Sequence, residues 1–394
     1  MNATRRTPGE PHATPARPGP GGTLADTALE LARAVLVQGP VSRRRLAAEL
    51  KLSVASLTRL SKPLLDAGWL VEGDLIADGS VGRPVRLLDV PDDARHFFGV
   101  KVTGTALQAV VTDLRATILA SGTVELADRS VPGVVEAIAG LAGALADRAG
   151  VTVSGMGVSL GGRVMDDGTV LRAPFLGWRD VALGPELRQR TGLPVRLEND
   201  VLALAAAQQW FGAGRDTPDF AVITVGAGVG YGLVMNHTVV RTGDSGLGLG
   251  GHIPLAANGP LCAAGHRGCS TAMLAMPSLC AQISTALARP VDYPEALDLA
   301  ASGNPVAAAV FDAAGRALGR LIALTANLAM VNTVVVAGEG VDFFALVAES
   351  VRGTLEADRD PDAAPVRVPV LSSGYEEWAR GAAAVAIQDQ AFVA

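Results

Sequence analysis

Leu24, Ala28, Leu31 and Val35 recur at helical spacing and predict an amphipathic helix over 24–37, ended by Gln38-Gly39-Pro40. Ser42 suits the N-cap of a second helix over 43–49 that turns Leu46 and Ala47 inward. After a turn through Leu50-Lys51-Leu52, Ser53 caps a third helix. Its buried stripe is Leu57, Leu60 and Leu64, which leaves Val54, Ala55, Thr58, Arg59 and Lys62 facing outward. Pro63 predicts a kink, because an interior proline removes one helix hydrogen bond. Two strands come next, Trp69–Val71 and Pro84–Leu88, around a polar tip at Asp78–Gly82.

This order, over residues 23–90, is that of a winged helix-turn-helix. In that motif the third helix enters the major groove with its N-terminal side chains against base edges. Arg59 can donate to guanine, and Val54 or Ala55 can meet a thymine methyl; Ser53, Ser56 and Thr58 lie on the same N-terminal turns. Arg43, Arg44, Arg45 and Lys62 suit phosphates, and Arg83 in the wing suits the backbone or the minor groove. An ordinary three-helix domain with solvated arginines would explain the helices, but not the agreement of turn, caps, stripe and wing.

From Phe97 the pattern changes. His96–Val102 and Ala106–Thr112 alternate like paired strands, Val134–Asp147 reads as a helix, and Val151–Leu160 as a strand running into Gly161-Gly162. Leu193–Leu197 is a strand ending at Glu198-Asn199-Asp200. Asp219–Val225 leads through Gly226–Gly230 to its hairpin partner Tyr231–Met235. A long helix over Ala308–Val331, a buried strand at Thr333–Ala337 and a final helix over Glu377–Ile387 complete the pattern. Strands ending in glycine loops and interleaved with helices predict an α/β body with ligands at strand ends.

Composition adds bounds. The 394 residues suffice for two or three domains, and 49% hydrophobic with 18% charged residues supports sizeable cores. No apolar run approaches the ~20 residues that span a bilayer. Residues 1–22, rich in Pro, Gly and Arg, lack a signal peptide's apolar stretch and predict a disordered tail. The expected location is the cytoplasm, with no membrane partner. Residues 1–90 carry a net +3 and the rest −9, a basic front on an acidic body. Three cysteines, Cys262, Cys269 and Cys280, are too few for a disulfide framework.

Taken in order, several landmarks resemble the ROK family of bacterial sugar kinases and sugar-responsive repressors. They are Gly99–Asp113, Gly157–Gly162, Ala173–Trp178, Glu198-Asn199-Asp200, Gly226–Gly232, Gly251-His252, Cys262–Cys269, Val334–Gly340 and Gly381-Ala382-Ala383. The resemblance covers nearly everything after residue 22. It implies a homodimer whose α/β body has two actin-like (ribonuclease H-like) lobes: lobe one at 96–216 with the helix 377–391, and lobe two at 217–376.

Departures from the family pattern decide the expected activity. Its kinases open with Asp-x-Gly-Gly-Thr, whose acid helps to hold magnesium; here the stretch is Lys101-Val102-Thr103-Gly104-Thr105. A lysine cannot ligate a cation. The second phosphate loop, Gly-Thr-Gly in kinases, is Gly226-Ala227-Gly228, without the hydroxyl. Asp200 matches the kinase base, but a base without a placed phosphoryl donor makes no kinase. The expectation is no catalytic residue and no ATP. The sugar-binding Glu-x-Gly-His is Leu249-Gly250-Gly251-His252, and the glutamate expected after the last cysteine is Thr271. Asn199, Asp200 and His252 remain as candidate ligand-binding residues.

Family members place His and Cys-x-Cys-Gly-x-x-Gly-Cys around zinc. Here Ala264 replaces the middle cysteine of Cys262–Cys269. Either His266 completes a set of His252, Cys262, His266 and Cys269, or the metal is lost. Cys280, among apolar neighbours, reads as a core residue. The whole predicts a dimeric repressor of carbohydrate-related genes that reads an inverted repeat in double-stranded DNA, with a sugar or sugar-derivative effector in a degenerate kinase cleft. The alternatives are an ATP-dependent sugar kinase with an appended DNA-binding domain and a regulator without a small ligand.

Overall fold

The computed structural model describes residues 24–76, 84–91, 95–371 and 374–392, and the architecture is that of these residues. They fall into two compact units, one ending at Pro91 and one beginning at Asp92. The tail 1–22, the tip 78–82 and Arg83 lie outside the described residues. No helix among those described is long and apolar enough to cross a membrane.

The first unit contains α1 (Leu24–Gln38), β1 (Val41–Ser42), α2 (Arg43–Glu49), α3 (Val54–Asp66), β2 (Val71–Ile76) and β3 (Val85–Asp89), with strand order β1-β3-β2. Both N-caps form: Ser42 Oγ accepts from the Arg45 amide at 3.2 Å, and Ser53 Oγ from the Ser56 amide at 3.0 Å. Leu31, Leu46, Leu57, Leu60, Leu64, Leu70 and Leu88 close the core. Pro63, where a kink is expected, does not end the helix: α3 continues to Asp66. The proline falls in the last turn, so its lost hydrogen bond reaches only the final residues and leaves the N-terminal turns regular. Strand β2 starts at Val71, not Trp69, because the Trp69 and Leu70 amides still bond to Leu64 O and close the helix.

The second unit holds two sheets with helices around them. The first is built from β4 (His96–Val102), β5 (Ala106–Thr112), β6 (Ile118–Glu125), α4 (Val131–Ala149) and β7 (Val153–Leu160). After it come a small sheet, β8 (Arg163–Val164), β9 (Val170–Ala173) and β10 (Trp178–Val181), then α5 (Leu183–Thr191), β11 (Val195–Asn199) and α6 (Asp200–Phe211). The order β11-β7-β4-β5-β6 has β4, β5 and β6 antiparallel and β7 and β11 parallel to β4. This is the ribonuclease H-like arrangement the resemblance implied. The second sheet, ordered β14-β13-β12-β15, uses β12 (Phe220–Val225), β13 (Val229–Met235), β14 (Thr238–Val239) and β15 (Val334–Ala337). It packs among α7 (Ser270–Leu274), α8 (Met276–Leu287), α9 (Tyr293–Ala301), α10 (Pro305–Ala329) and α11 (Phe344–Ala357).

Helix α12 (Glu376–Gln390) returns to the first sheet and lies against it backbone to backbone. A Cβ at Gly99 would stand 2.2 Å from Ala379 O, and one at Gly157 only 1.8 Å from Ala382 O. The small residues Gly381–Ala384 allow this approach, which brings Trp378 to the end of β4. Gly157→Ala is therefore expected to cost about 1–3 kcal/mol through overpacking. Gly140→Ala, on the open face of α4, should be neutral or stabilise by up to ~1 kcal/mol. Urea unfolding of the two variants compares them directly.

Candidate functional site

On the first unit, Ser53, Val54, Ala55, Thr58, Arg59 and Lys62 are exposed and Ser56 half-buried on α3, opposite its leucine stripe. The Thr58 hydroxyl donates back to Val54 O at 2.9 Å, which leaves Arg59 and Lys62 as the helix's reaching side chains. Arg44 and Arg45 are exposed at the start of α2. Arg43 differs: its guanidinium is held by Glu72 at 2.5 Å, so it braces α2 against β2 instead of standing free for a phosphate. Sequence reasoning missed that pair because Glu72 comes from the wing.

In the second unit the strand ends converge on Lys101. This residue, 8% exposed, forms an ion pair between its Nζ and Asp200 Oδ2, and its ammonium lies 4.6 Å from the centre of the Trp378 ring. Asp200 opens α6, and its other oxygen accepts from the Val201 amide at 2.9 Å. Asn199 caps the same helix: Oδ1 accepts from the Val201 and Leu202 amides, while Nδ2 donates to Gly162 O at 3.0 Å. Asn199 and Asp200 thus stand at the strand end with most of their polar capacity already used by the protein. Behind them Glu198 is buried and accepts from Arg241 Nε at 2.8 Å.

The Gly226–Gly228 loop is also occupied. The Ala227 amide donates to Glu339 Oε1 at 2.8 Å, and a Cβ at Gly226 would stand 2.1 Å from that oxygen. An amide of the kind that cradles phosphate here serves a carboxylate, whose charge would oppose a phosphate beside it. Leu249 is 68% exposed, and Thr271 Oγ1 donates to Gly251 O at 2.6 Å.

His252 sits with the cysteines. Its Nδ1 lies 3.7 Å from Cys262 Sγ and 3.6 Å from Cys269 Sγ, and His266 Nδ1 lies 3.6 Å from Cys262 Sγ. His252, Cys262 and His266 can each offer a ligand atom within 4.8 Å of the others. A tetrahedral zinc with ordinary Zn–S and Zn–N bonds spaces its sulfur and nitrogen ligands about 3.6 Å apart. The donor set fits such an ion. Burial works to raise the Cys262 thiol pKa, but hydrogen bonds from the His266 and Ala264 amides bring it down to about 7; burial raises that of Cys269. Cys280 packs half-buried against the core of the second sheet.

Residues 97–389 match the family model described as the ROK family. Over 304 residues the chain is 25% identical to the DNA-binding transcriptional repressor Mlc of Escherichia coli K12, across 74% of this chain and 75% of that protein. The crystal structure of a ROK family transcriptional regulator, a homologue of the E. coli MLC protein, covers 92% of this chain and 97% of its own. Its TM-score is 0.77 at 23% identity. A ROK family glucokinase from Streptomyces griseus, solved with glucose and AMPPNP, covers 74% of this chain and 99% of its own, with a TM-score of 0.65 at 28% identity.

The Lys101–Asp200 pair can be tested by itself. Lys101→Met leaves Asp200 without its cation in a mostly buried place and is expected to cost about 3–5 kcal/mol. The double variant Lys101→Met with Asp200→Asn should recover most of the loss. Urea unfolding reads both; equal stability of the single variant and the parent would show the pair to be inert.

Proposed function

This chain belongs to the ROK family, and from that premise we propose that it is a DNA-binding repressor of carbohydrate-related genes. In this reading it is a homodimer that binds an inverted repeat and responds to a sugar or sugar derivative. The similarity to Mlc supports the regulator class, and the exposed, capped face of α3 supports DNA reading. The observation that favours a regulator over a kinase is the Lys101–Asp200 ion pair. The position that would carry a metal-binding acid carries a cation, and that cation occupies the candidate base. Glu339 against the Ala227 amide argues the same way. A sugar kinase is the second reading, favoured by Asp200 at the strand end and by the likeness to the glucokinase. ATP-dependent phosphorylation of a hexose, abolished by Asp200→Asn, is the result that would establish it.

Zinc held by His252, Cys262, His266 and Cys269 would supply structure, not catalysis, because four protein ligands leave no open position for substrate. It would tie the 252–269 loop to the start of α7. In this reading His266 takes the place left by Ala264.

Affinity selection of genomic fragments with the full chain, followed by sequencing, tests the regulator. The expected product is an inverted repeat near sugar-transport or catabolic genes; no enrichment at moderate salt would remove the DNA-reading function. Arg59→Ala should relax sequence preference and lose about 1–3 kcal/mol on the selected site. Arg44→Ala with Arg45→Ala should weaken all duplexes alike. Metal analysis should find about one zinc per chain, lowered by Cys262→Ser and by His266→Ala. Full zinc content in the His266 variant would remove that residue from the set.

A further inference from the structure

The small sheet β8-β9-β10 carries a feature that neither the DNA-reading face nor the kinase-like cleft uses. Its register sets Arg163 opposite Arg172, and Arg172 opposite Arg179. Three arginines therefore stand in one cross-strand row, Arg172 and Arg179 exposed and Arg163 half-buried. Directly opposed residues have Cβ atoms about 4.5–5.5 Å apart, and like charges so placed destabilise a sheet. Among the described residues none of the three guanidiniums has a carboxylate or hydrogen-bond partner. The acids of the β8–β9 turn are committed elsewhere: Asp166 pairs with Arg196 at 3.0 Å, and Asp167 accepts from the Thr169 amide at 2.8 Å. Among the described residues no carboxylate offsets this repulsion by an ion pair with the row.

The row begins at the strand-end site. Arg163 comes directly after Gly161-Gly162, and Gly162 O is the acceptor for Asn199 Nδ2. A Cβ at Gly161 would stand 3.3 Å from the Phe175 ring and 3.4 Å from Asp200 Oδ2, so that turn, Phe175 and Asp200 share one small region. Phe175 is 58% exposed there. The acceptors that would meet neutral hydroxyls are largely taken, and Arg163, whose guanidinium has no partner among the described residues, follows Gly162 directly in the chain.

We propose that Arg163, Arg172 and Arg179 bind the phosphate of a small phosphate ester, whose remainder lies toward Phe175 and the Asn199–Asp200 turn. Forked guanidinium donors match phosphate oxygens, and three of them on adjacent strands can converge on one dianion. A small ester is favoured over a nucleic-acid backbone because the chain beyond residue 90 carries a net −9, which repels a duplex. The proposal deepens the effector part of the regulator reading and rests on it for its biological meaning.

The test is calorimetric titration of the full chain, in chloride buffer, with inorganic phosphate, glucose 6-phosphate, glucose and a random DNA duplex. Both phosphate probes should bind and glucose should not. Replacing the row by glutamine (R163Q, R172Q, R179Q) should weaken phosphate binding roughly tenfold per guanidinium, while R352Q on α11 changes nothing. With the repulsion removed, the triple variant should also melt at a higher temperature in phosphate-free buffer. Phosphate binding that survives the triple substitution, or no phosphate binding by the parent chain, overturns the site. Loss of duplex binding alone assigns the row to nucleic acid and also overturns it. Operator binding by the unliganded triple variant should match the parent. If the parent recognises no operator, the regulator reading fails, and the phosphate titration still decides the row.

Discussion

Among the described residues of the second unit, one buried cation, Lys101, organises its surroundings. Lys101 stands next to the end of a largely apolar strand, so its charge must be met within a few ångströms or the strand would not stay buried. Asp200 meets it from the first turn of α6, and Trp378 covers it from α12. Strand, capping helix and returning helix are thereby held to one point. The ammonium and the carboxylate neutralise each other at the strand ends.

The close contact of α12 with the sheet serves the same point. Gly99 and Gly157 let the helix backbone approach until no side chain fits between, and that depth sets Trp378 over the ammonium. Glu339, after β15, takes the Ala227 amide in the Gly226–Gly228 loop. Two charged side chains far apart in sequence, Lys101 and Glu339, are thus each met by a polar group of the second unit, Asp200 and the Ala227 amide.

Features that depend on neighbours in sequence were legible. Ser42 and Ser53 were readable as caps because the donors they satisfy lie three residues on, and the leucine stripe of α3 comes from helical spacing alone. The two-lobed α/β body was legible through the family resemblance, and its strands lie within a few residues of their expected positions. Long-range pairs were not. Lys101 and Asp200 are 99 positions apart, although a lone lysine in an apolar strand was a signal that some acid must face it. Arg43 read as a phosphate contact because its partner, Glu72, belongs to a strand whose register no local pattern supplies. The arginine row was hidden for the same reason: opposition across strands is a property of pairing, and β8–β9 pairs through an irregular register.

The return of α12 also has a temporal meaning. The first sheet is synthesised early, yet its α12-facing glycines and buried Lys101 are covered only when Glu376–Gln390 has emerged from the ribosome. The first unit contains its own core and needs no later segment to close it. A chain ended before Glu376 would present a finished first unit ahead of a second unit with an open seam, the kind of apolar surface that chaperones and proteases inspect. Because Glu376–Gln390 completes the first sheet, only molecules that contain this helix complete the second unit, and the ordering of the chain becomes a check on its integrity.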